Sequence, residues 1–488
     1  MLVATARLGF DLAASLAEIR GSGQAGAVLP LAHAFALILI ALASLLLAPV
    51  LLFRTWTLHQ HYALALRQAS AAEARTASAA DIRFAERFAK ATEQLGSQNQ
   101  AARLGAIYAL DQIARDSQAH VAPVVETLCA FVRVSAPGAA TPKPLPPWNA
   151  DLSRDPSQED ATFIDRFGRR PFSQDNDLSR WLDVLPQPAA DTRAALSIIL
   201  RQASAAQAGE GQPPIIDLRG AYLVGATLSG ARLSKAIFAG ARLERADFSS
   251  AELERADLSG AHLAEADLSE AHLSNATLTA AHLEKADLRW ANLEGADLAE
   301  AHLEAAVLVE ANLKRANARG AQLHSAVLRG CVVEGITLRG ARLEAAVLTR
   351  ARLEGADLRG ARLTAVDAAG ADFEDAILVG ARLEGANLKD AYFEASVLRG
   401  AMLGSSDLTD ATMARASLRS ADLSDVQNLD ADAILAAFGV KAGLGLTRLP
   451  EGLAAPEHWF DAANDGSWET YEAAYRTWLG EDDAGTEA

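Results

Sequence analysis

A five-residue repeat constrains the fold of this chain more than any other feature. From Ile216 to Asp425 the motif is written 42 times without an insertion. A leucine or its substitute stands at every position whose number ends in 3 or 8, and a small residue stands two places earlier. A period of five fits neither an α-helix, with roughly 3.6 residues per turn, nor the two-residue alternation of a plain strand. The pattern therefore predicts a solenoid built by stacking coils.

The apolar positions of the motif predict its core. So many evenly spaced leucines cannot all remain in water, and the leucine and small-residue columns are therefore both expected to point inward. Representative core positions are Leu258, Leu278, Leu298, Phe373 and Phe393. Proline is absent from the repeat, as a backbone that pairs with coils above and below requires. Glycine recurs at the last place of the motif, where a corner needs permissive dihedral angles.

Segments such as 256–260 (ADLSG) and 356–360 (ADLRG) resemble the pentapeptide-repeat family. The resemblance covers 210 of the 488 residues. It implies a mainly β fold, a right-handed quadrilateral β-helix with one motif on each side. Four motifs per coil give about 10 coils, and a rise of roughly 4.8 Å per coil gives a rod of about 50 Å. Phe373 and Phe393 are 20 residues apart and are then expected to stack.

An uncharged stretch from Leu29 to Phe53 predicts a transmembrane helix. Its 25 residues would span roughly 37 Å as a helix, against about 30 Å for a hydrocarbon core. A cleaved signal peptide and a buried core helix are the alternatives; the apolar run leads into Arg54 without a small-residue cleavage site. The number of Lys and Arg residues near the two ends of this helix favours a cytoplasmic location for the chain on its C-terminal side. The two cysteines, Cys129 and Cys331, are far apart in the sequence and suggest no disulfide framework.

The segments around the repeat differ in composition. Helical periodicity runs from Asp81 to Val134, and its 103–114 string resembles the helices ahead of the solenoid in membrane-anchored bacterial members of the family. We therefore expect a single-pass protein of the bacterial inner membrane. The predicted organisation is an N-terminal segment (1–28), a transmembrane helix (29–53), a juxtamembrane and α-helical region (54–135), a proline-rich linker (136–190), an N-terminal capping helix (191–215), the β-helix (216–425) and a C-terminal cap with an acidic, aromatic tail (426–488). The tail aromatics either pack on the last coil or bind a partner.

Histidines at 20-residue spacing predict a ladder on one side of the rod. His262, His282 and His302 should stack, with Glu284 and Glu304 beside them. These side chains are metal ligands, but a metal needs donors that converge on a point, and a flat ladder offers a line. We therefore expect a solvated surface column without metal or cofactor.

No catalytic constellation is present in the sequence. It has no glycine-rich phosphate loop, no nucleophile elbow and no paired cysteines. The flat sides of a solenoid also lack the deep pocket that small-molecule chemistry favours. We therefore expect no enzymatic activity and no catalytic or cofactor-binding residues.

Charge is banded along the repeat of this acidic chain, whose net charge is −17. The stretch from Lys314 to Arg362 has four acidic and ten basic residues, whereas the stretches before and after it are acidic. We expect a membrane-tethered scaffold that binds a protein partner, with or without oligomerisation. Its candidate binding surface comprises Arg342, Arg352, Arg362 and Arg382. The alternative is a DNA mimic that regulates gyrase, as some members of the resembled family are; the basic band interrupts the charge it would need, so no nucleic-acid-related role is favoured.

Overall fold

The computed structural model describes residues 82–135, 175–207, 214–463 and 466–480. The chain divides into two units, 1–86 and 87–488, and the second contains the solenoid. The predicted N-terminal segment (1–28) and transmembrane helix (29–53) lie outside the described residues. Among the helices in the described ranges, none combines the length and apolar character that a membrane span needs.

Five helices precede the solenoid in the described ranges. They are α1 (82–95), α2 (Gln100–Asp116), α3 (Val121–Val134), α4 (Asp175–Asp183) and α5 (Ala190–Gln207), with a 3₁₀ turn at Gln118–His120. α2 begins where the Asn99 side chain accepts a hydrogen bond from the Ala101 N–H. Its predicted apolar face, including Ile107 and Leu110, is buried. Helices α2, α3 and α5 pack together.

Helix α5 overlaps the predicted capping helix (191–215), of which residues 208–213 lie outside the described part of the chain, and it links the helical unit to the solenoid. Its Asp191 accepts a hydrogen bond from Arg103 Nε of α2 at 2.6 Å. A cavity of about 310 Å³ lies where Leu196 of α5 faces Leu223 of the first coil. From α3, Arg133 donates to the Asp217 carbonyl oxygen at 2.6 Å. The helices therefore cover the beginning of the solenoid, where backbone groups would otherwise lack a partner.

The solenoid has four motifs per coil. From Asp217 with Ile237 to Asp407 with Gln427, every bridging residue pairs in parallel with the residue 20 positions later, and Ser417 and Asp422 of the last coil pair with Phe438 and Arg448 of the C-terminal segment. We number the four sides by the first bridging residue of each: face 1 (Asp217), face 2 (Tyr222), face 3 (Thr227) and face 4 (Arg232). The predicted stack is confirmed, because the rings of Phe373 and Phe393 lie 4.9 Å apart and are inclined by 2°.

The core is formed by the two columns that the sequence indicated. Leu258 and Leu278 are 0% exposed and Leu298 is 1% exposed, and the two stacked phenylalanines are fully buried. The leucine N–H bonds to the coil above, as in Leu218 N–H to the Ile237 carbonyl at 2.7 Å. Each buried leucine contributes roughly 1.5–3 kcal/mol. Stability therefore accumulates along the rod from many equivalent contacts.

The last place of each motif has a left-handed backbone conformation. From residue 220 to residue 420 every fifth residue has a positive φ, whether it is glycine, such as Gly340 at 64°, or not, such as Ala280 at 53°. A positive φ at this place, followed by the hydrogen bond from Ala221 N–H to the Leu218 carbonyl, is typical of a type II turn. No Thr, Val or Ile occurs at this place in the repeat, in keeping with the strain that a branched Cβ would add.

Helix α4 contradicts the prediction of an extended linker at 136–190. Residues 136–174 lie outside the described part of the chain, but Asp175–Asp183 is helical. Leu178 and Leu182 recur at helical spacing and pack with Leu185 against Tyr222 and Val224 of face 2. The prediction was wrong here because the proline count of the whole segment concealed a short amphipathic helix at its C-terminal end.

The C-terminal cap consists of α6 (Ala431–Leu435), strands β1 (Val440–Gly443) and β2 (Phe460–Ala462), which pair in parallel, and α7 (Trp468–Leu479). The Asp430 side chain caps α6, within the predicted capping segment. Tyr471 of α7 lies with its hydroxyl 2.9 Å from Ser417 Oγ. Tyr475 donates to the Arg415 carbonyl oxygen at 2.6 Å. The sequence left open whether the tail aromatics pack on the last coil or bind a partner, and these two tyrosines pack on the last coil.

Candidate functional site

Face 2 concentrates the polar side chains of interest in two parallel columns. The bridge column consists of Tyr222, Arg242, His262, His282, His302, Gln322, Arg342, Arg362, Arg382, Met402 and Asp422. The corner column, two residues further along each motif, consists of Val224, Glu244, Ala264, Glu284, Glu304, His324, Glu344, Thr364, Glu384, Gly404 and Ser424. We call the bridge and corner residues from His262 to Glu304 the histidine half of face 2, and those from Arg342 to Glu384 the arginine half. The two columns flank an inward-pointing leucine, which brings their side chains together on one side of the backbone.

The corner carboxylates of the histidine half are buried. Glu284 is 2% exposed and Glu304 is 8% exposed. Each lies against the bridge histidine of its own motif, with 3.0 Å between His282 Nδ1 and Glu284 Oε1 and 3.4 Å between His302 Nδ1 and Glu304 Oε1. The prediction of a solvated surface column is therefore wrong for these carboxylates, because the corner side chain folds along the sheet instead of extending into solvent.

The histidine ladder has the predicted spacing. The ring centroids are 4.9 Å apart between His262 and His282 and 4.7 Å apart between His282 and His302, and the rings are nearly parallel. Burial, together with the neighbouring His282 and Arg242, lowers the pKa of His262 to about 4. The hydrogen bond to Glu304 raises the pKa of His302 despite its burial. His262 and His302, which occupy equivalent positions of the repeat, therefore differ in their affinity for a proton.

Face 2 also holds polar atoms that have no hydrogen-bond partner. Within the described ranges, every buried side-chain N or O atom without a partner lies in the two columns of this face, apart from Thr192 Oγ1 of α5. The atoms on face 2 are Arg242 Nη2, Glu244 Oε2, Glu304 Oε2, Gln322 Oε1 and His324 Nε2, whereas Glu344 Oε2 has an ion-pair contact with His324 Nδ1 at 2.9 Å. Such atoms are costly to bury. They distinguish face 2 from the other three sides as the place where a further ligand is expected.

The arginine half contains three of the four predicted binding residues. Arg342, Arg362 and Arg382 form one ladder on face 2, whereas Arg352 pairs with Asp372 on the opposite face 4. Arg362 and Arg382 are half-exposed. Two of these arginines lie close to the corner glutamate of their own motif. Arg342 Nε is 3.4 Å from Glu344 Oε1, and Arg382 Nε is 3.1 Å from Glu384 Oε1.

Charge is divided between sides of the rod as well as along it. Face 1 has a column of arginines at 20-residue spacing, namely Arg319, Arg339 and Arg359, with Arg399 and Arg419 further along. Face 4 has a column of glutamates at the same spacing: Glu334, Glu354, Glu374 and Glu394. Of the ten basic residues in the band that the sequence predicted, five therefore lie on faces 1 and 2 and five on faces 3 and 4, where face 4 also has the glutamate column.

The family model for pentapeptide repeats matches this region in 8 copies. Together the matches cover residues 216–249 and 256–425. HetL of the cyanobacterium Nostoc sp., a pentapeptide-repeat protein involved in heterocyst differentiation regulation, is 34% identical, with 46% of this chain and 95% of HetL covered and a TM-score of 0.22. The chain belongs to the pentapeptide-repeat family.

Other pentapeptide-repeat structures are also similar to this chain. One from the thylakoid lumen of Arabidopsis thaliana is 29% identical over 25% of this chain and 84% of its own, with a TM-score of 0.21. QnrB1, a plasmid-mediated fluoroquinolone resistance protein, is 18% identical over 45% of this chain and 88% of its own, with a TM-score of 0.19. None of the curated proteins compared with the chain matches it. The helices before residue 216 lie outside the family-model matches.

Proposed function

We propose that this pentapeptide-repeat protein is a membrane-tethered, non-enzymatic platform that binds an acidic partner protein through the arginine half of face 2. The observation that carries the proposal is the ladder of Arg342, Arg362 and Arg382 on one flat side of a rigid rod. A guanidinium group has five N–H donors, so one corner carboxylate leaves several available. Arg362 and Arg382 have half of their side-chain surface exposed.

The arrangement of the ladder suits recognition of a surface with several carboxylates. Its rungs repeat at the coil spacing, which is roughly 4.8 Å, and the rod holds them in place without cost at the moment of binding. The acidic column on face 4 would repel the same partner, so the partner's orientation would be fixed. We therefore expect the partner protein to bind only one side of the rod.

The test of the binding surface compares two sides of the same rod. A chain lacking residues 1–53 is used as bait, and retained proteins are identified and then purified for affinity measurement. Reversal of Arg342, Arg362 and Arg382 to Glu should abolish retention of the partner, whereas Arg352→Glu on face 4 should leave it intact. Added salt should weaken the wild-type contact. Equal retention by the triple variant and the wild type would reject face 2 as the binding surface.

The proposed tether is tested separately. It rests on the uncharged sequence of residues 29–53 and is long enough for a bilayer core. The full chain should resist alkaline carbonate extraction, and the chain lacking residues 1–53 should be released. Recovery of the full chain in the soluble fraction would reject the membrane tether but would not affect the proposed binding surface.

A gyrase assay tests the alternative of a DNA mimic. Such a mimic needs continuous negative charge, which the arginines of faces 1 and 2 oppose. We expect the rod to leave DNA supercoiling by gyrase unchanged. Inhibition at micromolar concentration would replace the platform with the mimic.

A further inference from the structure

The histidine half contains a group of converging metal-ligand types. One donor atom from each of His282, Glu284 and His302 lies within 4.8 Å of the other two. A tetrahedral ion with ligands at about 2.0–2.2 Å needs donors separated by about 3.3–3.6 Å. Rotation of the two half-buried imidazoles about their side-chain bonds can close the remaining gap. The ladder therefore offers more than a line of donors, because the buried Glu284 lies beside it.

A second observation at this place concerns the Glu304 side chain. The Glu304 carboxylate is more than nine-tenths buried, with Oε1 near His302 Nδ1 and Oε2 without a hydrogen-bond partner. A buried carboxylate oxygen without a partner is costly. That cost is removed when an ion, or water bound to an ion, stands beside the ladder. Glu304 would then orient His302 from behind, as carboxylates commonly do for metal-bound histidines.

The arrangement occurs once along face 2. His282 and His302 are the only bridge histidines with a glutamate two residues later, since His262 is followed by Ala264. In the arginine half, the corner Glu344 lies within 4.0 Å of guanidinium groups that already supply positive charge. Two successive coils therefore have the same pair of bridge histidine and corner glutamate, and this combination occurs nowhere else on face 2.

We propose that His282, Glu284 and His302 bind a divalent transition-metal ion of the zinc class, with Glu304 as the positioning carboxylate. Imidazole and carboxylate donors together suit Zn²⁺ and its neighbours, whereas Ca²⁺ and Mg²⁺ prefer oxygen ligands alone. The charges of Glu284 and Glu304 balance the charge of the ion, which allows it to be buried. The ion would join two coils and stabilise the middle of the rod.

The experiment measures Zn²⁺ binding to the full chain in detergent, free of any histidine tag and stripped with a chelator. Titration in competition with a chromophoric chelator should give one equivalent per chain. The melting temperature should rise with free Zn²⁺ concentration. Co²⁺ should bind in its place and give the visible absorption of a low-coordinate site.

Variants of the ladder supply the matched comparison. His282→Ala, Glu284→Gln and His302→Ala should each abolish stoichiometric binding, and Glu304→Gln should weaken it by about 10–100-fold. His262→Ala is the control, because this ring stacks on His282 but has no corner carboxylate. Glu284→Gln keeps the side-chain volume, so it serves even if an alanine variant fails to fold. Absence of stoichiometric Zn²⁺ binding, or equal weakening by His262→Ala and His282→Ala, would overturn the proposal.

Discussion

The histidine half and the arginine half of face 2 occupy equivalent positions of the same repeat, yet their corner carboxylates have different charged partners. In the arginine half, Glu344 accepts from His324 and lies near Arg342 and Arg362. Burial alone would raise the pKa of Glu344, but the hydrogen bond with His324 and the charges of His324 and Arg342 hold it below its usual value. In the histidine half, Glu284 has the imidazole of His282 as its close partner.

This difference shows how one backbone supports two kinds of surface. The leucine core and the turns are common to both halves, so the rod continues unchanged while the two outer columns vary. Where the bridge residue is arginine, the carboxylate is neutralised within the protein and the remaining N–H groups face a partner. Where it is histidine, the carboxylates stay buried with weaker partners, and the site favours a cation.

The largest effect is expected from changes to the shared core. Leu283 and Leu343 are both fully buried, one in each half. Leu283→Asp and Leu343→Asp should each lower the free energy of unfolding by several kcal/mol, because each places a carboxylate in an apolar interior. Circular dichroism melting checks this, with the exposed Glu374→Ala as a control that should stay within about 0.5 kcal/mol. A large difference between the two leucine variants would show that the halves do not share one core.

Removing the corner carboxylate should separate the two halves. Glu344→Gln should destabilise the rod by about 1.5–3 kcal/mol, since several cationic groups lose their charged partner. Glu284→Gln should have little effect, or stabilise, when metal is absent, because it removes a buried charge. Chemical denaturation in a chelator measures both. Equal losses of stability in the two variants would show that Glu284 and Glu344 have equivalent surroundings.

The same carboxylate gives a prediction for pH. The pKa of Glu344 is lower in the folded protein than its usual value. Its contribution to stability is therefore complete above the usual glutamate pKa and is lost as the pH falls through the folded value. The stability difference between wild type and Glu344→Gln should shrink on acidification; a difference that grows would contradict the assignment.

Smaller effects are expected at the turns. Ala280 and Gly340 occupy the same place of the motif with positive φ, beside the histidine and arginine halves respectively. Ala280→Gly should stabilise and Gly340→Ala should destabilise, each by roughly 1 kcal/mol, since only a Cβ makes this conformation costly. Space for the added Cβ at Gly340 is open. Melting temperatures that move in the same direction for both variants would show that the strain is not shared.

The smallest effect concerns Cys331, which lies in the small-residue column between the two halves. Burial raises the pKa of the Cys331 thiol to about 12, and it raises that of Cys129 likewise. Neither thiol should react with Ellman's reagent in the folded protein at pH 8, and both should react after unfolding. Rapid release of one equivalent from the native chain would show that the coil between the halves opens.

Much of the rod could be predicted from the sequence because its information is local and repeated. The inward direction of Leu258 and Phe373 follows from spacing, whereas the four-motif coil, and with it the stack of Phe373 on Phe393, follows from the resemblance to the pentapeptide-repeat family. The predictions were wrong where contacts came from outside the period. Helix α4 was concealed in a proline-rich segment, and its apolar face is recognisable only once Tyr222 and Val224 are known to lie beneath it.

The sequence by itself determined the period, the composition of each column and the identity of the side chains on each face, because register in a solenoid without insertions is fixed by counting. Only the tertiary structure decided how those side chains are used. It turned Glu284 and Glu304 inward along the sheet, placed His324 against Glu344, and left Arg362 and Arg382 half-exposed. The physical reason is that burial and pairing depend on the direction of each side chain at a corner, which a period of five does not specify.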